Sequence, residues 1–454
     1  MADQQEAPIL AILDRYFRQP PTAFYFPGHR GKGYDPFLSH LWGGGLWRSD
    51  VPELPGVEAA IEEAESLAAD LVGAQRSWFL TNGATIGIQA MFLAFPGAKI
   101  LVGRNCHRST IGGMVLAGTV PVYLATELDT TGVDLGVSPS TLEVALQQHP
   151  DTQAVFLVSP NYYGVCGEVE QWVRLCHDQG IPLLLDSAHG AHLGFHPGFP
   201  PAPLSLGADL VVQSTHKTAV SLTQTAILHL KSDLIGGETI DRALSLLKST
   251  SPSLPLLASI DSSRRLLATE GQFLLEKVLT WSEKLKARVD WLTSFDDPSR
   301  ITAIPPTGTG FDLDQWLCHQ SPPLIAELPT LQHLVFALTI GTEVEDIDRL
   351  ITLLQEYPMP CRKITIPPYD FSSIQQPVLT PRQAYFAPKE TVAPPAAIGR
   401  ISGSIICPYP PGIPVILPGE IVEKETIAYL EAVVAAGGII PGWEKGIEVL
   451  VGAE

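Results

Sequence analysis

From Leu54 to Leu230 the chain alternates between two hydrophobic periods, and this narrows its possible folds more than any other feature. Val57, Ile61, Ala64, Ala68 and Leu71 step by four and three, which makes one apolar face of a helix. Residues 77–80 read as a short strand that ends at Thr81-Asn82-Gly83, and a helix pattern follows over 84–95. The series continues with strand 99–102, helix 109–117, strand 121–124, helix 139–148, strand 154–158 and helix 168–179. Strands 181–185, 209–213 and 225–230 close it. Central runs such as Pro182-Leu183-Leu184-Leu185 are continuously apolar, as expected of strands covered on both faces. The predicted fold class is α/β: a mostly parallel sheet with helices on both faces, followed by a smaller C-terminal α+β domain. Ligands of such sheets bind at the carboxyl ends of the strands.

Beyond about residue 300 the pattern changes. A long helix pattern over 261–290 gives way to Pro-rich pieces at 366–368, 393–396 and 407–412. Short strand-like stretches at 334–340 and 401–406 lie between them, and a helix is expected near 425–436. These shifts divide the 454 residues into an N-terminal arm (1–45), a major domain (46–300) and a small C-terminal domain (301–454). Hydrophobic residues make up 45% and charged residues only 17%, against a usual charged share of about 25%. A disordered chain is excluded, and the low charge suggests further surface buried at a subunit interface. The net charge of −19 argues against nucleic acid as a partner. Asp3, Glu6 and Asp14 in the first twenty residues do not suit a secretory signal, and no apolar window is long enough for a membrane span. The six cysteines (106, 166, 176, 318, 361 and 407) form no C-x-x-C pair. The expectation is a cytoplasmic protein without disulfides.

Three pieces carry chemistry. Ser214-Thr215-His216-Lys217 follows the strand 209–213, so an amine stands just past the carboxyl end of a buried strand. Desolvation would lower its pKa and make it a candidate for Schiff-base formation. Asp186-Ser187-Ala188-His189 closes the strand 181–185; a carboxylate there is costly unless it has a partner. Thr81-Asn82-Gly83-Ala84-Thr85 joins a strand to a helix, where free amides and the Thr85 hydroxyl form an anion cradle. Read singly, each has an ordinary explanation: a solvated lysine, a paired carboxylate, an N-cap. Together, at the ends of different strands of one sheet, they meet the needs of pyridoxal phosphate: a phosphate site, a pyridinium partner and a Schiff-base lysine. They support a fold like that of aspartate aminotransferase without choosing the reaction. His192 and His196 have the spacing of a helical metal pair, but Gly190, Gly194 and Pro197 argue against a helix there, and no metal is expected. Tyr162 and Tyr163 either line the site or pack under the sheet edge.

Longer strings carry a resemblance. They are Phe26-Pro27-Gly28-His29-Arg30-Gly31, Arg104-Asn105-Cys106-His107-Arg108-Ser109, Asn161-Tyr162-Tyr163-Gly164, Asp186-Ser187-Ala188-His189-Gly190-Ala191-His192, Gln213-Ser214-Thr215-His216-Lys217-Thr218, Ser249-Thr250-Ser251-Pro252 and Pro408-Tyr409-Pro410-Pro411-Gly412-Ile413-Pro414. In this order the chain resembles the bacterial ornithine/lysine/arginine decarboxylases of pyridoxal-phosphate fold type I, from about Phe26 to about Glu420. The resemblance implies that Lys217 carries the cofactor and that Asp186 keeps its pyridine nitrogen protonated. It places His107 on the ring face and Ala188 behind the ring. Ser214, His216, Thr85 and the amides of Gly83 and Ala84 would bind the phosphate. His189 would stand beside the cofactor with a possible proton-transfer role. The loop with Thr250 would reach a partner's site in a homodimer, and Glu420 would lie near the distal cationic group of the substrate. The implied activity is decarboxylation of arginine, lysine or ornithine to a polyamine-pathway amine. A negative net charge suits such a cationic substrate.

The chain departs from the family's pattern at Ala84, where Ser or Thr is common, at Asn161 in place of Thr, and at Ser187 in place of Glu. Its segment 50–58 is shorter and less acidic than usual. It lacks the N-terminal wing of the larger members, so their decamer is not implied. The alternatives are another reaction on the same scaffold (transamination or a lyase step) and an idle cofactor-binding homologue.

Overall fold

The computed structural model describes residues 2–18, 27, 49–51, 54–360, 376–408 and 413–452. Most of the expected N-terminal arm, the Pro-rich piece at 366–368 and residues 409–412 lie outside the described residues, as do Phe26 and residues 28–31.

Seven strands form the central sheet: β1 (Arg76–Leu80), β2 (Lys99–Gly103), β3 (Val120–Leu124), β6 (Ala154–Val158), β7 (Leu183–Asp186), β8 (Leu210–Gln213) and β9 (Ala226–Leu230). A small hairpin, β4 (Glu127–Leu128) and β5 (Asp134–Gly136), intervenes after β3. The spatial order is β1-β9-β8-β7-β6-β2-β3. The ladders from β3 to β8 are parallel, and β9 runs antiparallel to both β8 and β1.

The continuous apolar runs follow from this layering. Ile100, Val102, Phe156 and Leu184 face one side, where they pack with Ile86, Met91 and Phe92 of the helix Gly83–Leu93 and with Met114 of the helix Arg108–Ala117. Their chain neighbours Leu101, Val155, Leu157, Leu183 and Leu185 face the other side, against Leu142, Leu146 and Trp172 of the helices Pro139–Gln148 and Val169–His177. Both strand faces are therefore removed from water. Gly87 allows the helix Gly83–Leu93 to sit close to β8, because a Cβ there would lie 2.6 Å from Val212.

The helix Leu254–Arg288 links the two parts of the chain. Its first half packs with the N-terminal helix Pro8–Arg18 and with Phe79 and Ile227; its second half packs into the small sheet. That sheet is antiparallel, in the order β10 (Leu292–Thr293), β11 (Arg300–Ala303), β13 (Leu334–Ala337) and β12 (Leu328–Pro329). The helices Gly310–Cys318 and Val344–Glu356 cover it. The last portion holds a two-stranded ladder of β14 (Lys389–Val392) and β15 (Ile447–Leu450) and the helix Lys424–Ala435. Residues 401–406 do not form the expected strand: Ile401 and Ile406 make isolated bridges to Ile421 and Ile416. No helix among the described residues is long and apolar enough to cross a membrane.

Candidate active site

Asp186 is the last residue of β7, and the short helix Thr215–Thr218 follows β8 directly. These strands are neighbours in the parallel ladder, so Asp186 and Lys217 meet at the carboxyl edge of the sheet. The helix Gly83–Leu93 starts after β1, and the helix Arg108–Ala117 starts after β2, at the same edge. Together they enclose a cavity of about 220 Å³. Its wall includes Gly83, Ala84, Thr85, His107, Asp186, Ala188, His189, Ser214, His216 and Lys217, all of them singled out in the sequence, together with Asn105, Asn161, Tyr162 and Ile413.

Lys217 is half-buried on the cavity wall. Burial lowers its ammonium pKa and Arg300 adds to that, while Asp186 and Glu327 pull the other way. Its Nζ lies 3.0 Å from His189 Nε2 and 5.5 Å from the centre of the Tyr162 ring. Burial raises the Asp186 carboxyl, against the pull of Lys217 and of the Ala188 N–H that Oδ1 accepts at 3.0 Å. His107 caps the helix Arg108–Ala117 by accepting the Ser109 N–H at Nδ1, at 3.2 Å. Burial, then Lys217 and Arg108, push its imidazole down to about 4, so the ring is neutral near pH 7.

The cradle differs in detail from the expectation. The Gly83 N–H is already donated to the Gln224 carbonyl at 2.7 Å, so it is not free for an anion. Asn82 makes no side-chain cap, which leaves the next amides of the first turn for the cavity. Ser214 is likewise an N-cap without a side-chain cap bond. His216 donates Nδ1–H to the Thr225 carbonyl at 2.7 Å, which fixes its tautomer and leaves Nε2 open.

Pyridoxal phosphate fits this donor set. The buried Asp186 carboxylate, which among the described residues accepts one hydrogen bond, from the Ala188 N–H, stands where a pyridinium would balance it. An uncapped helix start with Thr85 and Ser214 supplies donors for a phosphate. Lys217 opens on the same space.

Two expected residues are not brought to this cavity in their own chain. Glu420 is buried, and its carboxylate pairs with Arg104 at 3.1 Å and accepts the Leu417 N–H at 2.7 Å. Thr250 is exposed on the loop after the helix Gly237–Leu247. Tyr162 lines the cavity with its ring 4.4 Å from that of His189, whereas Tyr163 turns away and packs edge-on against His333. Asn161 shapes the loop: its carbonyl oxygen accepts the Tyr163 and Val165 N–H groups and its amide donates to the Asp134 carbonyl. His192 pairs with Asp297 and His196 with Glu276, each in a separate contact. Arg300, unmentioned by any sequence pattern, places Nη2 3.2 Å from His189 Nδ1. Asn105, anchored on Asp134 at 2.7 Å, was visible only as part of the 104–109 string.

Comparisons with known proteins identify the family and the fold. Family models match over residues 7–307 (Orn/Lys/Arg decarboxylase, major domain) and 368–453 (Orn/Lys/Arg decarboxylase, C-terminal domain). An arginine decarboxylase of Bacillus subtilis (strain 168) is 32% identical over 472 residues, covering 97% of this chain and 96% of its own. An arginine decarboxylase of Halalkalibacterium halodurans is 30% identical, covering 98% and 96%. The crystal structure of a Francisella novicida lysine decarboxylase superposes with a TM-score of 0.82 at 20% identity, over 98% of this chain and 81% of that one, a likeness of fold.

Proposed function

Because the chain belongs to the Orn/Lys/Arg decarboxylase family, we propose that it removes the α-carboxyl group of arginine with pyridoxal phosphate held at Lys217. The observation that carries this reading is the meeting of Lys217, Asp186 and the uncapped helix start of Gly83–Leu93 in one cavity. When bound, the cofactor supplies an electron-poor ring that accepts the electron pair left as CO₂ departs.

The chain's own residues do the rest. Burial lowers the Lys217 ammonium pKa, which favours the nucleophilic amine. Asp186 offers a fixed negative charge at the sheet edge, which favours a protonated ring nitrogen without reorganisation during the reaction. The neutral His107 presents a flat face to the cavity. Thr85, Ser214 and the amides after Gly83 would donate to the phosphate, with His216 on the same wall. Ala188 is small enough to leave room behind the ring. His189 touches Lys217 and stands where a proton can be moved.

Arginine is favoured over lysine and ornithine because the relatives that match nearly the whole chain at about 30% identity bear that name. The active form is read as a dimer, with the Thr250 loop completing the partner's site and with residues 46–300 forming the cofactor domain. Exposed Val220 and Leu222, next to the Lys217 helix, support an apolar contact there. The test is to load the purified protein with the cofactor and supply arginine, lysine and ornithine separately, measuring CO₂ and the amine. CO₂ from arginine in preference to the other two is expected. Release from lysine or ornithine alone would overturn the substrate assignment, and keto acid without CO₂ would overturn decarboxylation.

A further inference from the structure

We propose that Arg300 fixes which nitrogen of His189 carries the proton, and thereby holds the Lys217 amine in its uncharged form. Arg300 is a positioning residue, acting through His189. The inference rests on the reading of Lys217 as the cofactor-bearing amine.

The argument begins with what each group can do. A guanidinium only donates hydrogen bonds. Arg300 Nη2 lies 3.2 Å from His189 Nδ1, so Nδ1 must offer its lone pair. The proton of the neutral imidazole then sits on Nε2. That nitrogen is 3.0 Å from Lys217 Nζ. An Nε2–H pointing there needs a lone pair on Nζ, which only the uncharged amine has. An ammonium would set donor against donor. An imidazolium offers no escape, because it would present a second donor to Arg300.

Water has little access to the Arg300–His189 side of this contact. Arg300 is 1% exposed and His189 4%. Among the described residues, His189 is the one side-chain partner in hydrogen-bond contact with the Arg300 guanidinium, and Arg300 Nε is buried with none. Burial, then Lys217, Arg300, His107 and His192, push the His189 imidazole well below its ordinary pKa, which agrees with a neutral ring. The charged and titratable groups around Lys217 are Asp186 from β7, Glu327 from the segment before β12, Arg300 from β11, His189 after β7, His107 after β2 and its helix neighbour His216. Asp186 and Glu327 favour the ammonium; the His189 bond and Arg300 oppose them.

The placement of Arg300 is itself built. The Arg300 N–H donates to the Asp297 carbonyl at 3.2 Å, and the Asp297 N–H donates to the Gly164 carbonyl at 2.9 Å. Gly164 has φ +84°, and a Cβ there would lie 3.0 Å from the Arg300 stem. The loop 161–164 that carries Tyr162 into the cavity thus also seats the arginine. Docking of the small sheet is thereby tied to the protonation state of a group on the large one.

The experiment uses the full-length chain freed of cofactor, with pyridoxal phosphate as the probe. Condensation of the Lys217 amine with the aldehyde releases one water and raises a visible band. Its rate follows the uncharged fraction of the amine. In Arg300→Met, His189 is free to turn its proton to Nδ1 and accept from an ammonium. The midpoint of the rate profile should then rise by about one pH unit or more, slowing loading about tenfold at pH values below the wild-type midpoint. Arg300→Lys, which keeps a cationic donor, should restore the profile. A uniform slowing at every pH, or an unshifted profile, would overturn the proposal. Nitrogen NMR of His189 in the wild-type chain gives a check independent of any variant's folding: a proton on Nδ1 refutes it. Neither readout involves CO₂ release, so failure of the decarboxylase reading would be seen separately.

Discussion

Replacing Glu420 by glutamine separates a structural role for this carboxylate from a substrate-binding one. Glu420 and Arg104 are 3.1 Å apart and both nearly sealed from water. At an effective dielectric of about 20, two unit charges at that separation attract by about 5 kcal/mol. Burial nevertheless raises the Glu420 carboxyl more than Arg104 and the Leu417 N–H lower it, so desolvation outweighs the attraction. Such a pair adds little net stability, yet removing one member is costly because the other charge stays buried. In Glu420→Gln the Arg104 guanidinium keeps the Pro414 and Val415 carbonyls, at 2.7 and 3.0 Å. The expected loss is therefore at the lower end of the usual range, about 3 kcal/mol. Arg104→Met should cost a similar amount, and the double variant should cost less than the sum of the two. Urea unfolding followed by tryptophan fluorescence measures all three. A change below about 1 kcal/mol together with a large rise in KM for the amino acid would refute the reasoning and return Glu420 to the substrate.

Lys217→Ala should abolish both the visible band and CO₂ release; turnover surviving that change would displace Lys217 from its role. Asp186→Asn should lower kcat by about a hundredfold or more with cofactor still bound, the scale seen when one fixed electrostatic partner is removed; unchanged kcat would exclude the carboxylate as the ring's counter-charge. Asp297 tests the acid side. Burial alone would raise its carboxyl, but His192, Arg300 and Ser299 together hold it at about 2. A folded pKa below the unfolded value near 4 stabilises the fold above that value, and the contribution is lost as pH falls through about 2. The difference is worth about 2 kcal/mol, so Asp297→Asn should lose that much at pH 7 and narrow its gap to wild type near pH 2, as read by denaturation across the acid range. A constant gap would refute the assignment.

The large sheet was legible because its strands are buried on both faces and the helices between them are amphipathic. Runs such as Leu183-Leu184-Leu185 admit few other readings, and the strand edges fell within a residue or two of Leu183–Asp186 and Leu210–Gln213. The direction of β9 was not legible from hydrophobicity, since an antiparallel neighbour with buried faces has the same apolar content as a parallel one. The small sheet was harder still. Strands of two to four residues, such as Leu292–Thr293 and Arg300–Ala303, are too short to display a period. The expected strand at 401–406 had the composition of one, but it pairs only through isolated bridges, to Ile416, Ile421 and Val449.

The site shows the same division between local and non-local information. Lys217, Asp186 and the turn at 81–85 were readable because each lies at a strand's carboxyl end or a helix's first turn, where geometry is set by the adjacent element, whereas the places of His107, Ala188 and His189 came with the family resemblance. Arg300 lies 111 residues after His189, in an otherwise ordinary Arg-Ile-Thr-Ala strand, and reaches it through the docking of two sheets. Glu420 has the opposite history: the family resemblance drew attention to it, and a residue 316 positions away decides what it does. Both cases turn on the same physical point. An arginine or a glutamate leaves water only for a partner, and that partner is named by the fold. Sequence strings can show where charge is buried on this scaffold, while the pairing that gives each charge its role comes from the packing of the C-terminal elements against the sheet edge.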